Sequence, residues 1–214
     1  MAGRDECRAG SWNAIKEIAN TLSVIVCTVL ISESGDRAEQ MTPDSRLLQA
    51  TQIASIGEFF VSSLCVVNHN GATRKLQLAF EQLCRRVLKQ HSADLSTLPH
   101  AWLLRIIENS QRAGQGRTDI VRRSSGIPLA ISAICVAEGA GAQHLLPLAI
   151  EKLLQIATTA REPWPRVHAF NSLRVLFETA ALIKGAAPSL ADGVRASIEG
   201  IAEHEWEVCY PTSY

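Results

Sequence analysis

Apolar residues recur at three- and four-residue steps along most of the 214-residue chain, the period of helices with one buried face. Trp12, Ile15, Ala19, Leu22, Val26 and Val29 predict a first helix over 11–32. A polar loop over 33–42 follows. Thr42-Pro43, a capping hydroxyl before a proline, predicts the start of a second helix running to about Val67 with Leu48, Ile53, Ile56, Phe60 and Leu64 inward. Asn68-His69-Asn70-Gly71 breaks it. The third helix, about 72–90, has the clearest stripe: Leu76, Phe80, Leu83 and Val87. A fourth, about 99–112, carries Trp102, Leu103, Ile106 and Ile107.

Residues 119–138 form one kinked helix or two shorter ones, because Pro128 removes a donor and crowds the preceding turn. Further helices are predicted over 143–160, from Pro163 to about Ile183, and over 188–205. On the helix from Pro163, Phe170, Leu173, Leu176 and Phe177 point inward. Asn171, Arg174 and Glu178 lie on the other side, with His168 at its margin. Eight helices with short loops and no convincing strand predict an all-α fold. A HEAT- or armadillo-like α-solenoid of antiparallel helical hairpins is the favoured arrangement and a compact bundle the alternative. Residues 1–205 are expected to form one helical-repeat segment.

Composition changes this picture little: 47% hydrophobic, 20% charged and 5% aromatic residues suit a soluble helical protein. Lys+Arg and Asp+Glu both number 21, so net charge identifies no partner. Its distribution says more. Residues 70–91 hold Arg74, Lys75, Arg85, Arg86 and Lys89 against Glu81 alone. Residues 192–207 hold five acids against Arg195. The basic cluster is either a solvated helix face or an electrostatic footprint for phosphates. Cysteines 7, 27, 65, 84, 135 and 209 are scattered without a CxxC pair, which fits a reduced, intracellular setting, expected to be cytoplasmic. The apolar run Leu22–Ile31 is too short for a bilayer, which needs about 20 residues, so no membrane association is expected.

No phosphate-binding glycine loop, HExxH helix or nucleophile elbow is present, so neither catalysis nor a cofactor, metal or small-molecule substrate is expected. One stretch does suggest chemistry. Arg122-Arg123-Ser124-Ser125-Gly126-Ile127-Pro128 sets two adjacent guanidinium forks before small residues, a pattern suited to a phosphate or carboxylate. The plainer alternative is a polar helix start whose arginines pair with neighbouring acids.

That stretch resembles the Arg-Arg-Ser-Ala-Gly-Leu-Pro signature of the THADA family, with Ser125 in place of alanine and Ile127 in place of leucine. Three other segments agree with the family's central domain, in its order. They are Trp12-Asn-Ala-Ile-Lys16-Glu17, then Gly57-Glu58-Phe59-Phe60 with His69-Asn70-Gly71-Ala72, and Val167-His168-Ala169-Phe170-Asn171-Ser172-Leu173-Arg174. Together they cover roughly residues 10–185. Trp206-Glu207-Val208-Cys209-Tyr210 begins like a further family segment and then departs from it.

The resemblance implies that residues 1–205 are a fragment of a much longer, non-catalytic α-solenoid, with 206–214 a divergent tail. Its partner would be an FtsJ-like, Rossmann-type tRNA ribose methyltransferase, and it would direct 2′-O-methylation in the tRNA anticodon loop. It implies contact with tRNA or that partner through Arg122, Arg123, Ser124, Ser125, Gly126 and Pro128, supported by His168, Asn171 and Arg174. The basic face of Arg74, Lys75, Arg85, Arg86 and Lys89 would extend the footprint. The competing class is a protein-interaction scaffold with no direct RNA contact.

Overall fold

A computed structural model describes residues 2–29, 31, 48–67, 69–112, 126–139 and 144–202. Its elements are α1 (Ala2–Thr28), α2 (Ala50–Val66), α3 (Asn70–Val87), the short α4 (Ala93–Ser96), α5 (Leu98–Arg112), α6 (Gly126–Glu138), α7 (Leu145–Thr159), α8 (Pro163–Glu178), the short α9 (Ile183–Ala186), a 3-10 turn (Ala187–Ser189) and α10 (Leu190–Ala202). Among the described residues the only β pairing is an isolated parallel bridge between Ile31 and Leu48. The fold is all-α.

The helices stack in two rows. One row runs α1, α3, α6, α8; the other runs α2, α5, α7, α10, each helix touching its neighbours in the row and a helix of the facing row. Within the first row α1 and α3 run parallel. Trp12 stacks on His69 at 5.6 Å near one end of the pair, Ser23 bonds Gln82 further along, and Arg86 reaches the Val29 carbonyl at the other. Parallel first helices of successive hairpins are the arrangement a helical-repeat solenoid requires.

The predicted stripes are the core. Leu76, Phe80, Leu83 and Val87 of α3 are fully buried, as are Ile53, Phe60 and Leu64 of α2, and Trp102, Leu103 and Ile106 of α5. Phe80 lies between Phe60 at 5.9 Å and Trp102 at 5.7 Å, which joins the rows. Two glycines set the closest approaches. A Cβ on Gly57 would overlap the Trp102 indole, and one on Gly126 would overlap the Leu64 carbonyl, so α5 and α6 pack against bare backbone of α2. Glu58 beside Gly57 pairs with Arg105 at 2.9 Å.

Three sequence expectations are corrected. The second helix begins at Ala50, not at Thr42-Pro43, which lie outside the described residues. Leu48 pairs with Ile31, keeping the chain extended to the N-cap Gln49, whose side chain closes a capping box with Gln52. The helix expected to reach Ile183 stops at Glu178, where Thr179 turns extended and its hydroxyl bonds back to the Val175 carbonyl at 2.6 Å. His168 and Asn171 were expected on a polar outer face, but they are only 1% and 6% exposed. Because α8 packs against α5, α6 and α7, nearly every position from Pro165 to Leu173 is covered and no polar side exists there.

Candidate nucleic-acid interface

The basic helix α3 is held at both ends. At its start His69 is the N-cap, and its Nδ1 accepts the Ala72 N–H at 3.2 Å. The same ring stacks on Trp12 of α1, so two of the segments that carried the family resemblance meet at this corner. At its far end the Arg86 guanidinium donates to the Val26 and Val29 carbonyls, 2.6 Å for the latter. Val26 lies in the last turn of α1 and Val29 just past it, where a helix end leaves carbonyls without intrahelical donors.

The five cations expected to share a basic face therefore divide. Arg86 is half-buried and spent on α1. Arg85 is exposed but pairs with Glu81 at 2.6 Å. Arg74 is exposed and makes a 3.4 Å bond to Gln77. Lys75 and Lys89 are exposed as well. Arg74 and Lys75 on α3, and Lys89 in the turn just after it, thus face solvent without an acid drawn onto them by a described ion pair, on and beside a helix held by a cap and a clamp. Guanidinium and ammonium groups arranged this way bind phosphates through charge and fix register without reading sequence.

The other expected site residues lie elsewhere. Arg122, Arg123, Ser124 and Ser125 are outside the described residues. Gly126 and Pro128 are buried in the first turn of α6. Gly126 seats that turn on α2, and Pro128 falls where a missing N–H costs nothing. Neither presents a surface to a ligand. Arg174 is exposed and sits 3.7 Å from Glu178. It is separated from the α3 face by α6, so the two basic regions are not one patch.

Burial raises three thiols: Cys65 to about 11, Cys135 to about 12 with a further push from Glu138, and Cys84 upward, with smaller pushes from Glu81 and Cys135. They are free and protonated at neutral pH, as small core residues should be. Among the described residues no three His, Cys, Asp or Glu side chains are grouped to hold a metal. No described helix is long and apolar enough to cross a membrane.

A family model described as THADA/TRM732, DUF2428 matches residues 5–207. The chain belongs to this family. Its THADA/TRM732 relatives include the "tRNA (32-2'-O)-methyltransferase regulator THADA" of Gallus gallus, 31% identical over 202 residues. The human protein of the same name is 30% identical over 204 residues. The "tRNA (32-2'-O)-methyltransferase regulator trm732" of Schizosaccharomyces pombe is 27% identical over 208 residues. Each match covers 92% of this chain but only 10%, 10% and 13% of the relative, so the chain spans about a tenth of their length. No solved structure matches it.

Sequence reasoning grouped Arg85 and Arg86 by the local excess of basic residues over 70–91. The partner that separates them, α1, comes almost sixty residues earlier in the chain. The cap formed by His69 and the loop cap formed by Glu138 were missed too. The Glu138 carboxylate accepts the His144 N–H at 2.8 Å and the Leu145 N–H at 3.0 Å, closing the start of α7. A polar residue beside a helix boundary was the only available signal for either.

Proposed function

We propose that this chain is part of a non-catalytic helical scaffold that regulates 2′-O-methylation of tRNA, and that it places the anticodon loop for an FtsJ-like ribose methyltransferase. Family membership, with relatives named as regulators of tRNA (32-2'-O)-methylation, is the observation that carries this reading. The exposed cations on α3 and in the turn that follows it support it physically. A methyltransferase acting on one loop nucleotide gains from a second surface that holds the RNA in place, since positioning alone can lower a barrier by several kcal/mol. RNA loops are recognised largely through shape and backbone, which suits Arg74, Lys75 and Lys89. Arg122 and Arg123, with Ser124, Ser125 and Arg174, form a second contact region for tRNA or for the enzyme. His168 and Asn171 support that region from inside the fold.

The test is methylation of the anticodon loop by the partner enzyme in the presence of full-length family protein carrying Arg122→Ala with Arg123→Ala. The reading expects a loss of at least tenfold. Unchanged methylation removes the arginine motif from the site.

A second reading, a protein scaffold without RNA contact, draws on the two α3 arginines already engaged within the fold. It expects the same methylation loss from the arginine variant but no tRNA binding by the chain itself.

A further inference from the structure

The exposed side of α3 carries its charge at two ends. Arg74, Lys75, Leu78, Gln82 and Arg85 are exposed, and at 3.6 residues per turn they fall within about a third of the helix circumference. Lys89 continues the line in the turn just after the helix. Arg74 and Lys75 form the first end, Arg85 and Lys89 the second, and Arg74 and Arg85 are about 16 Å apart along the axis at 1.5 Å per residue. Between them lie Leu78, 54% exposed, and Gln82. Glu81, the one acid from Asn70 to His91, is drawn onto Arg85. The Gln82 amide is oriented by α1: its Oε1 accepts from the Ser23 hydroxyl and, at 3.7 Å, from the Cys27 thiol. That leaves the Nε2 donor of an exposed side chain uncommitted among the described residues.

Cations at both ends of an uncharged middle complement a nucleic-acid groove crossed from one phosphate ridge to the other. Phosphate contacts on the two ridges position a protein, and the groove between them presents sugars and base edges. In an A-form RNA duplex the minor groove is wide and shallow and displays 2′-hydroxyls, which accept a bond from an amide. The minor groove of B-DNA, about 6 Å wide, is too narrow to take a helix. An unpaired strand fits this face less well, because splayed bases are held by stacking on aromatic side chains. No exposed residue of α3 is aromatic, and Trp12 and His69 at its start are half-buried and stacked on each other.

We propose that α3 lies across the minor groove of an A-form RNA stem. Arg74 and Lys75 contact phosphates of one strand, and Lys89, with Arg85 beside it, contacts those of the other. Leu78 rests against the sugars between them, and Gln82 Nε2 donates to a ribose 2′-hydroxyl. This rests on the reading that the α3 face contacts RNA, and it makes the partner of that face paired RNA. A loop is then placed by gripping a stem.

The test is binding of the 214-residue chain to an RNA hairpin whose stem is about one helical turn long. Three further probes stand beside it: unpaired RNA of the same length, a DNA duplex of the stem's sequence, and the hairpin with 2′-O-methyl groups along its stem. Those methyl groups keep the A form but crowd the minor groove. The plain hairpin is expected to bind about tenfold or more tightly than each of the other three. Arg74→Ala and Lys89→Ala should each weaken hairpin binding and lower its log–log salt slope by about one unit, with helicity unchanged because both positions are exposed. Unpaired RNA bound as tightly as the hairpin overturns the proposal and leaves the RNA reading standing. Equal binding of the DNA duplex or the methylated hairpin also overturns it, as does a salt slope unchanged in either variant. No binding to any probe removes the RNA reading and the proposal with it.

Discussion

The α1–α3 pair and the α6–α8 pair occupy equivalent places in the same row, yet they use their polar residues in opposite ways. In the first pair Arg74, Lys75 and Lys89 remain in solvent, while Arg86 and His69 tie the helix ends. In the second, Gly126, Pro128, His168 and Asn171 all lie inside the packing. A motif residue can therefore matter through the fold it permits instead of a ligand it touches. Gly126 is the clearest case, because the Leu64 carbonyl occupies the space of its missing side chain.

The largest effect that sharpens this contrast is expected from Gly126→Val. Forcing a branched side chain against backbone should destabilise the chain by about 3 kcal/mol or more, since overpacking by even single methylenes costs about 1–3 kcal/mol. Urea denaturation measures it. A loss below about 0.5 kcal/mol, the size of an ordinary surface change, would show that α6 does not seat on α2 as described.

Arg86→Ala comes next. It strips charge-assisted donors from the last turn of α1, at about 2 kcal/mol. Hydrogen exchange should quicken at the end of α1 before it does in α5. The same change at Arg85, whose partner Glu81 is on its own helix, should cost only about 0.3–0.5 kcal/mol. Equal losses at the two positions would erase the distinction between clamp and surface cation.

The smallest effect concerns the thiols. Cys27 is exposed, whereas burial holds the Cys135 thiol up at about 12 and the Cys84 thiol well above its ordinary value. Alkylation at pH 8 followed by peptide mapping should modify Cys27 within minutes and leave Cys84 and Cys135 intact until the protein unfolds. Because the raised thiols lose their protons only as pH climbs toward those values, raising the pH to 9 should not change the order.

Much of this was legible beforehand where a helix buries a single side. The stripes of α2, α3 and α5 follow directly from three- and four-residue spacing, and every predicted inward position of α3 is buried. Legibility failed where burial is all round. On α8 the polar side chains His168 and Asn171 occupy spacings that mimic an outer face, and only the neighbours α5, α6 and α7 remove that face. It failed again where a local signal met a distant one. Thr42-Pro43 looks like a helix start, but Leu48 pairs with Ile31, Gln49 is extended, and the helix begins at Ala50. Of the expected interface, the cations of α3 were visible as a cluster. Which of them are free depended on α1.

The most direct test is tRNA binding by the 214-residue chain across a salt series, beside a variant with Arg74, Lys75 and Lys89 all changed to Ala. The account predicts folding stability within about 0.5 kcal/mol of wild type, weaker binding, and a log–log salt slope shallower by about two to three units for three lost phosphate contacts. Superimposable curves, or no binding by either protein, would contradict a nucleic-acid role for the α3 face.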